Sequence, residues 1–145
     1  MQRAVLRFPP DISMSTTRRQ AVHYSKLRIS ADATSKLRFL RQRTGLTPNL
    51  LCRIALMTSL EEGVIGNVPP PDEEGSEFNS YTLTGEHSAL YIALLRFVEE
   101  QGVEAELSDE EMLMRMRAHI HRGVGTLSVR AKSAADLLAI IPEAA

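Results

Sequence analysis

The sequence is poor in the features that stabilise secreted and membrane proteins. Its 145 residues include one cysteine, which excludes an internal disulfide framework and a zinc site built from cysteines. No apolar run reaches the roughly 18 residues that a transmembrane helix needs, and residues 1–20 lack an apolar core long enough for a secretory signal. These absences predict a cytoplasmic protein with no membrane partner.

Acidic residues are scarce in the first part of the chain. Residues 1–60 carry eleven Lys and Arg residues against two Asp and Glu residues, whereas residues 61–111 carry fourteen acidic residues and one arginine. Residues 112–145 are again basic, with five basic and two acidic residues. The net charge of −1 hides this segregation, which predicts one surface that faces a polyanion and one acidic surface that faces solvent or a protein.

The length and composition suit one soluble domain, because hydrophobic residues make up 43% of the chain and charged residues 24%. We expect a mainly α-helical protein that forms one compact domain over residues 21–145, after a flexible leader over residues 1–20. The domain divides into a basic strand-helix-helix unit (21–63), an acidic proline-rich loop (64–80) and a helical remainder (81–145).

The basic unit opens with an alternating segment, residues 23–29. This alternation is typical of a strand with one apolar and one basic face. Ser30 is a good N-cap for a first helix that ends near Thr44, and Gly45 suits the left-handed position after its last turn.

A second helix begins at Thr47-Pro48 and ends at Gly63. It is apolar around most of its circumference, which predicts burial against a second chain as well as its own. A strand followed by two helices is similar to the ribbon-helix-helix unit, in which two chains pair their strands into a ribbon that enters the major groove of DNA.

The helical remainder contains three predicted helices. One runs from Glu86 to before Gly102, and another opens with a capping box over residues 108–111. We expect Gly123 and Gly125 to interrupt that second helix. Ser133 and Asp136 resemble a further capping box, which opens a short terminal helix.

Basic residues and one helix start form the candidate phosphate-binding surface. Cations on the strand and first helix flank the buried stripe, and the second helix offers backbone N–H groups at its N-terminus. The candidate DNA-binding residues are Lys26, Arg28, Lys36, Arg38, Arg41, Arg43, Thr47, Asn49 and Arg53.

Candidate catalytic features are weak. Cys52 lies in the middle of an apolar helix, where a buried small side chain is the better interpretation. His119 and His121 point about 200° apart on a helix, so they cannot chelate one metal ion together. No phosphate-binding loop of the Gly-Lys-Ser/Thr type is present. We therefore predict no enzyme activity, no metal and no cofactor.

Several segments resemble the DndE family of DNA sulfur-modification proteins. The most specific is Arg-Thr-Gly-Leu-Thr-Pro-Asn at residues 43–49, with its Cys-Arg-Ile-Ala continuation. The resemblance extends over roughly residues 24–138 and rests on residues 27–30, 40–56, 59–63, 77–86 and 118–124.

This resemblance implies a small subunit of the machinery that replaces a non-bridging phosphate oxygen of DNA with sulfur. It implies a compact helical homotetramer that binds double-stranded DNA, intact or nicked, through basic surface residues. The implied partners are the DndC and DndD subunits, with sulfur delivered from a cysteine desulfurase.

Three alternatives remain open at this point. The chain could be a ribbon-helix-helix transcriptional repressor that binds a short palindrome as a dimer. It could be an enzyme, either a nickase or a carrier of sulfur on Cys52. It could also be an adaptor whose charges concern only protein partners.

Overall fold

The basic strand-helix-helix unit is present, and its first helix begins and ends at the capping residues that the sequence predicts. The structure is a computed structural model, which describes residues 24–66, 68–103 and 105–140; the predicted leader lies outside them. Strand β1 spans Lys26–Arg28 and helix α1 spans Ala31–Thr44. The Ser30 hydroxyl accepts a hydrogen bond from the Ala33 N–H at 3.0 Å, and Gly45 adopts φ +78°. Both end signals are therefore confirmed.

The second helix, α2, spans Pro48–Glu62. Thr47 occupies its N-cap position and Gly63 follows its last turn, as the sequence predicts. One side of α2 is fully buried, whereas Leu50 and Met57 remain 39% and 42% exposed. Contacts within one chain therefore bury only part of the apolar surface of α2.

Strand β1 pairs within its own chain. Strand β2 spans Glu77–Asn79 and runs antiparallel to β1, with Leu27 opposite Phe78. The carbonyl of Arg28 accepts a hydrogen bond from Arg117 Nε at 2.7 Å. The strand-helix-helix unit is present, and the neighbour of β1 is β2 of the same chain, not a strand of a second chain as in a ribbon-helix-helix dimer.

The remaining chain is helical. The 3-10 turns Gly85–His87 and Glu100–Gly102 flank α4, and no helix in the described residues is long and apolar enough to cross a bilayer. The helices are α3 (Ser80–Thr84), α4 (Ser88–Glu99), α5 (Asp109–Arg130) and α6 (Ala134–Ile140).

Helix α5 differs from its prediction in one respect. Its capping box is confirmed, because the Ser108 hydroxyl accepts from the Glu111 N–H and the Glu111 carboxylate accepts from the Ser108 N–H. The expected interruption at Gly123 and Gly125 is wrong, because α5 is continuous to Arg130. Gly123 instead lets α2 cross at close range, since a Cβ atom there would overlap the Ala55 carbonyl.

Helix α5 lies at the centre of the core. It packs against α2 and α1, and Met116, Ile120 and Val124 are fully buried. Leu40 of α1 and Leu51 of α2 are equally inaccessible. Burial of each such side chain contributes about 1.5–3 kcal/mol. The structure confirms a mainly helical, compact domain.

Candidate nucleic-acid interface

The two cations of β1 are engaged with the neighbouring strand. The Lys26 ammonium lies 3.4 Å from the Glu77 carboxylate and the Arg28 guanidinium lies 3.0 Å from it. Arg28 also donates to the Gly75 carbonyl at 3.1 Å. One carboxylate therefore offsets half of the formal positive charge of these two side chains.

The cations of α1 fall into two groups. Lys36 pairs with Asp32 at 2.8 Å, and Arg43 donates to the Ser128 carbonyl at 3.1 Å. Arg38 and Arg41 are exposed, and within the described residues neither guanidinium has an ion pair or a hydrogen bond. The C-terminal half of α1 thus carries cations that no carboxylate of residues 24–66, 68–103 or 105–140 compensates.

The N-terminus of α2 is open. Its N-cap residue, Thr47, makes no side-chain hydrogen bond to the first turn, which contains no acidic residue. By contrast, the N-terminus of α1 is capped by Ser30, and the Asp72 carboxylate accepts from the Ala31 N–H at 2.9 Å. The first turn of α2, which includes half-buried Asn49, therefore retains the positive end of its helix dipole for an external anion.

Arg53 is committed to an intramolecular role. Its Nε donates to the Leu83 carbonyl at 2.8 Å and its Nη2 to the Thr82 carbonyl at 3.0 Å. These are carbonyls from the last turn of α3. Arg53 therefore closes that helix while part of its side chain remains accessible.

The acidic segment after Pro71 folds back onto the basic unit. The Ala31 and Glu74 N–H groups hold the pKa of Asp72 below its ordinary value of 3.8. Glu73 lies 3.2 Å from the Arg117 guanidinium. The sequence predicts that these acids face solvent or a protein partner, and it does not predict these internal contacts. Phe78 between two polar residues is the short strand signal that indicates this segment can pair with β1.

A buried polar network joins α2, α4 and α5. His119 Nε2 lies 2.7 Å from the Glu99 carboxylate, and His119 Nδ1 lies 2.8 Å from the Ser59 hydroxyl. Arg122 Nε donates to the same hydroxyl at 2.8 Å. Because a carboxylate only accepts, His119 Nε2 carries the proton and Nδ1 accepts from Ser59.

Glu99 is the anion at the end of this network. It accepts from the Ile65 N–H at 2.7 Å, from Arg115 at 2.7 Å and from the Gly66 N–H at 3.1 Å. Burial acts to raise the pKa of Glu99, but these bonds and the His119 bond outweigh it, so the pKa lies below 4.5. Ser59, His119 and Glu99 are all 0% exposed, so this serine-histidine-glutamate row has no access to a substrate.

His121 and Cys52, the other candidates for metal binding or catalysis, have structural roles in the fold. His121 Nδ1 lies 2.7 Å from the Ser30 hydroxyl, away from the Glu99 network. The described residues contain no group of three or more side chains that could hold a metal ion. Cys52 is 0% exposed, and burial raises the pKa of its thiol to about 12. A neutral, inaccessible thiol is a poor nucleophile.

An apolar groove of about 590 Å³ lies between α2 and α4. Its walls include Ile54, Met57, Tyr91, Leu94 and Phe97. The exposed fraction of Phe97 is 67%, which is high for a phenylalanine on a soluble domain. The side of α2 that lines this groove is therefore not covered by any other described element of the chain.

Comparisons with known proteins agree with the fold. Two crystal structures are similar to this chain: DndE from Escherichia coli B7A, involved in DNA phosphorothioation modification (TM-score 0.62), and a DndE mutant in which lysine replaces two glycines (TM-score 0.57). Each is 21% identical; the matches cover 72% of this chain and 98% and 97% of those chains. No curated protein sequence matches this chain. The family model for the DNA sulphur modification protein DndE matches residues 26–135, so the chain belongs to the DndE family.

Proposed function

We propose that this chain is a non-catalytic DNA-binding subunit of the DNA phosphorothioation machinery. Membership of the DndE family supports a role in DNA sulphur modification. In the proposal, the chain holds double-stranded DNA, intact or nicked, by contacts with backbone phosphates while other subunits perform the chemistry. The cytoplasm remains the expected compartment.

One observation carries the DNA-binding proposal. Arg38 and Arg41 are exposed cations without an internal partner in the described residues, and Arg43, on the other edge of α1, uses one N–H on a carbonyl. Uncompensated guanidinium groups on a rigid helix produce a local positive potential that attracts a phosphate backbone. We therefore assign the main phosphate contacts to these three arginines.

The open start of α2 extends this surface. Thr47 and Asn49 follow the end of α1 by a short turn, so the unfilled helix N-terminus lies in sequence next to Arg43. Lys26, Arg28 and Lys36 contribute less in this proposal, because Glu77 and Asp32 partly neutralise them. Arg53 contributes to DNA binding mainly indirectly, because its hydrogen bonds hold α3 in position.

Removing the two unpaired arginines is expected to weaken DNA binding. The Arg38→Gln/Arg41→Gln variant should bind intact and nicked duplex on the order of tenfold more weakly or worse at low salt. It should also lower the slope of log affinity against log salt by about one for each phosphate that the variant no longer binds. Fluorescence anisotropy titrations at several salt concentrations measure both quantities.

The matched comparison is Lys26→Gln/Arg28→Gln. It removes the same formal charge from side chains that are paired with Glu77, so the loss of affinity should be smaller. Equal losses would mean that only net charge matters, and unchanged affinity in the Arg38/Arg41 variant would contradict the assigned surface.

We also propose that the chain is a homotetramer. The resemblance to DndE proteins implies this state, and the apolar groove between α2 and α4 offers an uncovered face for another copy. The solution mass is then expected to be about four times the 16.1 kDa of one chain, which light scattering measures. A mass of 16.1 kDa at working concentration would contradict the tetramer.

DndC and DndD are the proposed protein partners, because the resemblance implies them. The buried, neutral thiol of Cys52 supports a subunit that carries no sulfur itself. The repressor alternative has less support, since β1 already has β2 of its own chain as a neighbour.

A further inference from the structure

The C-terminal end of α5 brings two distant cations together. Arg43 Nη1 and Lys132 Nζ donate to the same oxygen, the Ser128 carbonyl, at 3.1 Å and 3.4 Å. The two charged groups are therefore close neighbours, although they come from opposite ends of the domain in sequence. Both side chains are exposed.

Neither cation of this pair forms an ion pair with a carboxylate of the described residues. Within the described residues, neither the Arg43 guanidinium nor the Lys132 ammonium has an ion pair, and the nearby Asp136 carboxylate accepts from the Lys132 backbone N–H instead. Arg43 has five N–H donors and Lys132 has three, and most of these donors have no acceptor in the part of the chain that the structure describes. The two cations also mask the Ser128 carbonyl, which at a helix C-terminus would otherwise repel an anion.

The surrounding packing fixes this turn against α1. Ala131 is 0% exposed and Leu137 of α6 is 2% exposed, and α6 contacts α1. Arg130 lies on the same turn, exposed and without a partner in the described residues. Like charges held on a rigid turn without a counter-ion are stabilised by an external anion.

We infer that Arg43 and Lys132 together bind one phosphate of the DNA backbone, and that Arg130 contacts a neighbouring phosphate. This inference rests on the proposed DNA-binding function and extends its surface to the C-terminal basic part of the chain. The phosphate approaches the unused N–H donors of both side chains from solvent. These contacts position the duplex and read no base sequence.

Single-charge variants test this inference in the full chain with a duplex oligonucleotide. Lys132→Gln should weaken binding by several-fold and reduce the salt slope by about one, whereas Lys132→Arg should retain binding. Arg130→Gln should cause a smaller loss of the same kind. Lys26→Gln removes one unit of charge at an ion-paired position that contributes less in the proposal, so it is the comparison for the loss of one positive charge.

Three outcomes are distinguishable. A larger loss in Lys132→Gln than in Lys26→Gln, with an unchanged melting temperature, supports the inference. If the wild type binds duplex and Lys132→Gln binds as well as Lys26→Gln, the inference is overturned while the proposed function stands. If the wild type binds neither intact nor nicked duplex at low salt, both are overturned.

Discussion

A Glu99→Gln variant is expected to lose about 3–5 kcal/mol of unfolding free energy. Glu99 is 0% exposed and accepts hydrogen bonds from Arg115, His119 and two backbone N–H groups. Glutamine has the same shape, but it lacks the charge and turns one acceptor oxygen into a donor. The Arg115 cation is then nearly buried without its partner, and at least one donor in the cluster faces another. Urea denaturation followed by circular dichroism measures the loss.

Glu110→Gln is the matched control for this variant. Glu110 is an exposed carboxylate in the first turn of α5, so its replacement removes only a favourable interaction with the helix dipole, at a cost below about 1 kcal/mol. If Glu99→Gln were no more costly than Glu110→Gln, the buried network would contribute little to stability.

The pH dependence of stability gives a second readout of the same network. Burial lowers the pKa of His119 below 6.5, and the nearby Arg122 and Arg115 act in the same direction, while Glu99 opposes the shift without reversing it. Between the lowered pKa of the folded chain and about pH 6.5, the unfolded chain therefore binds more protons than the folded chain, so stability falls as the pH falls through this range. Between about pH 7.5 and about pH 5.5 this effect reaches at most about 1.4 kcal/mol. A His119→Asn variant should lack it.

Signals confined to a few neighbouring residues were predicted correctly from the sequence. The cap at Ser30, the left-handed Gly45, the Thr47-Pro48 start and the capping box at Ser108 each depend on contacts within one helical turn. These helix ends therefore form whatever the packing of the rest of the chain. The helical fold class followed from them.

Contacts between distant segments were the part that the sequence did not reveal. The pairing of β1 with β2 joins residues about fifty positions apart, and a three-residue strand carries too little periodicity to be recognised. The charge count shows that the first part of the chain is basic. It does not show that Glu77 partly neutralises Lys26 and Arg28, while Arg38 and Arg41 have no ion pair in the part of the chain that the structure describes. For the candidate site, the sequence therefore predicts the residue types, and the packing decides which cations are available.

Gly123→Ala is expected to cost about 3 kcal/mol or more, or to prevent folding, whereas Gly125→Ala should stabilise the protein by up to about 1 kcal/mol. Both glycines lie inside α5, so alanine gives both positions the same gain in helix propensity. A Cβ atom at position 123 would overlap the Ala55 carbonyl of α2 and lie 2.8 Å from the Ala55 Cα atom, whereas one at position 125 meets nothing within 4 Å. Backbone atoms of a packed helix cannot move aside as a flexible side chain does, so the first change forces α2 and α5 apart and loosens the core between them. The difference between the two unfolding free energies, measured in urea, isolates the close approach of the helices because the propensity gain cancels. Equal stabilisation by both changes would mean that α2 and α5 do not approach this closely at Gly123.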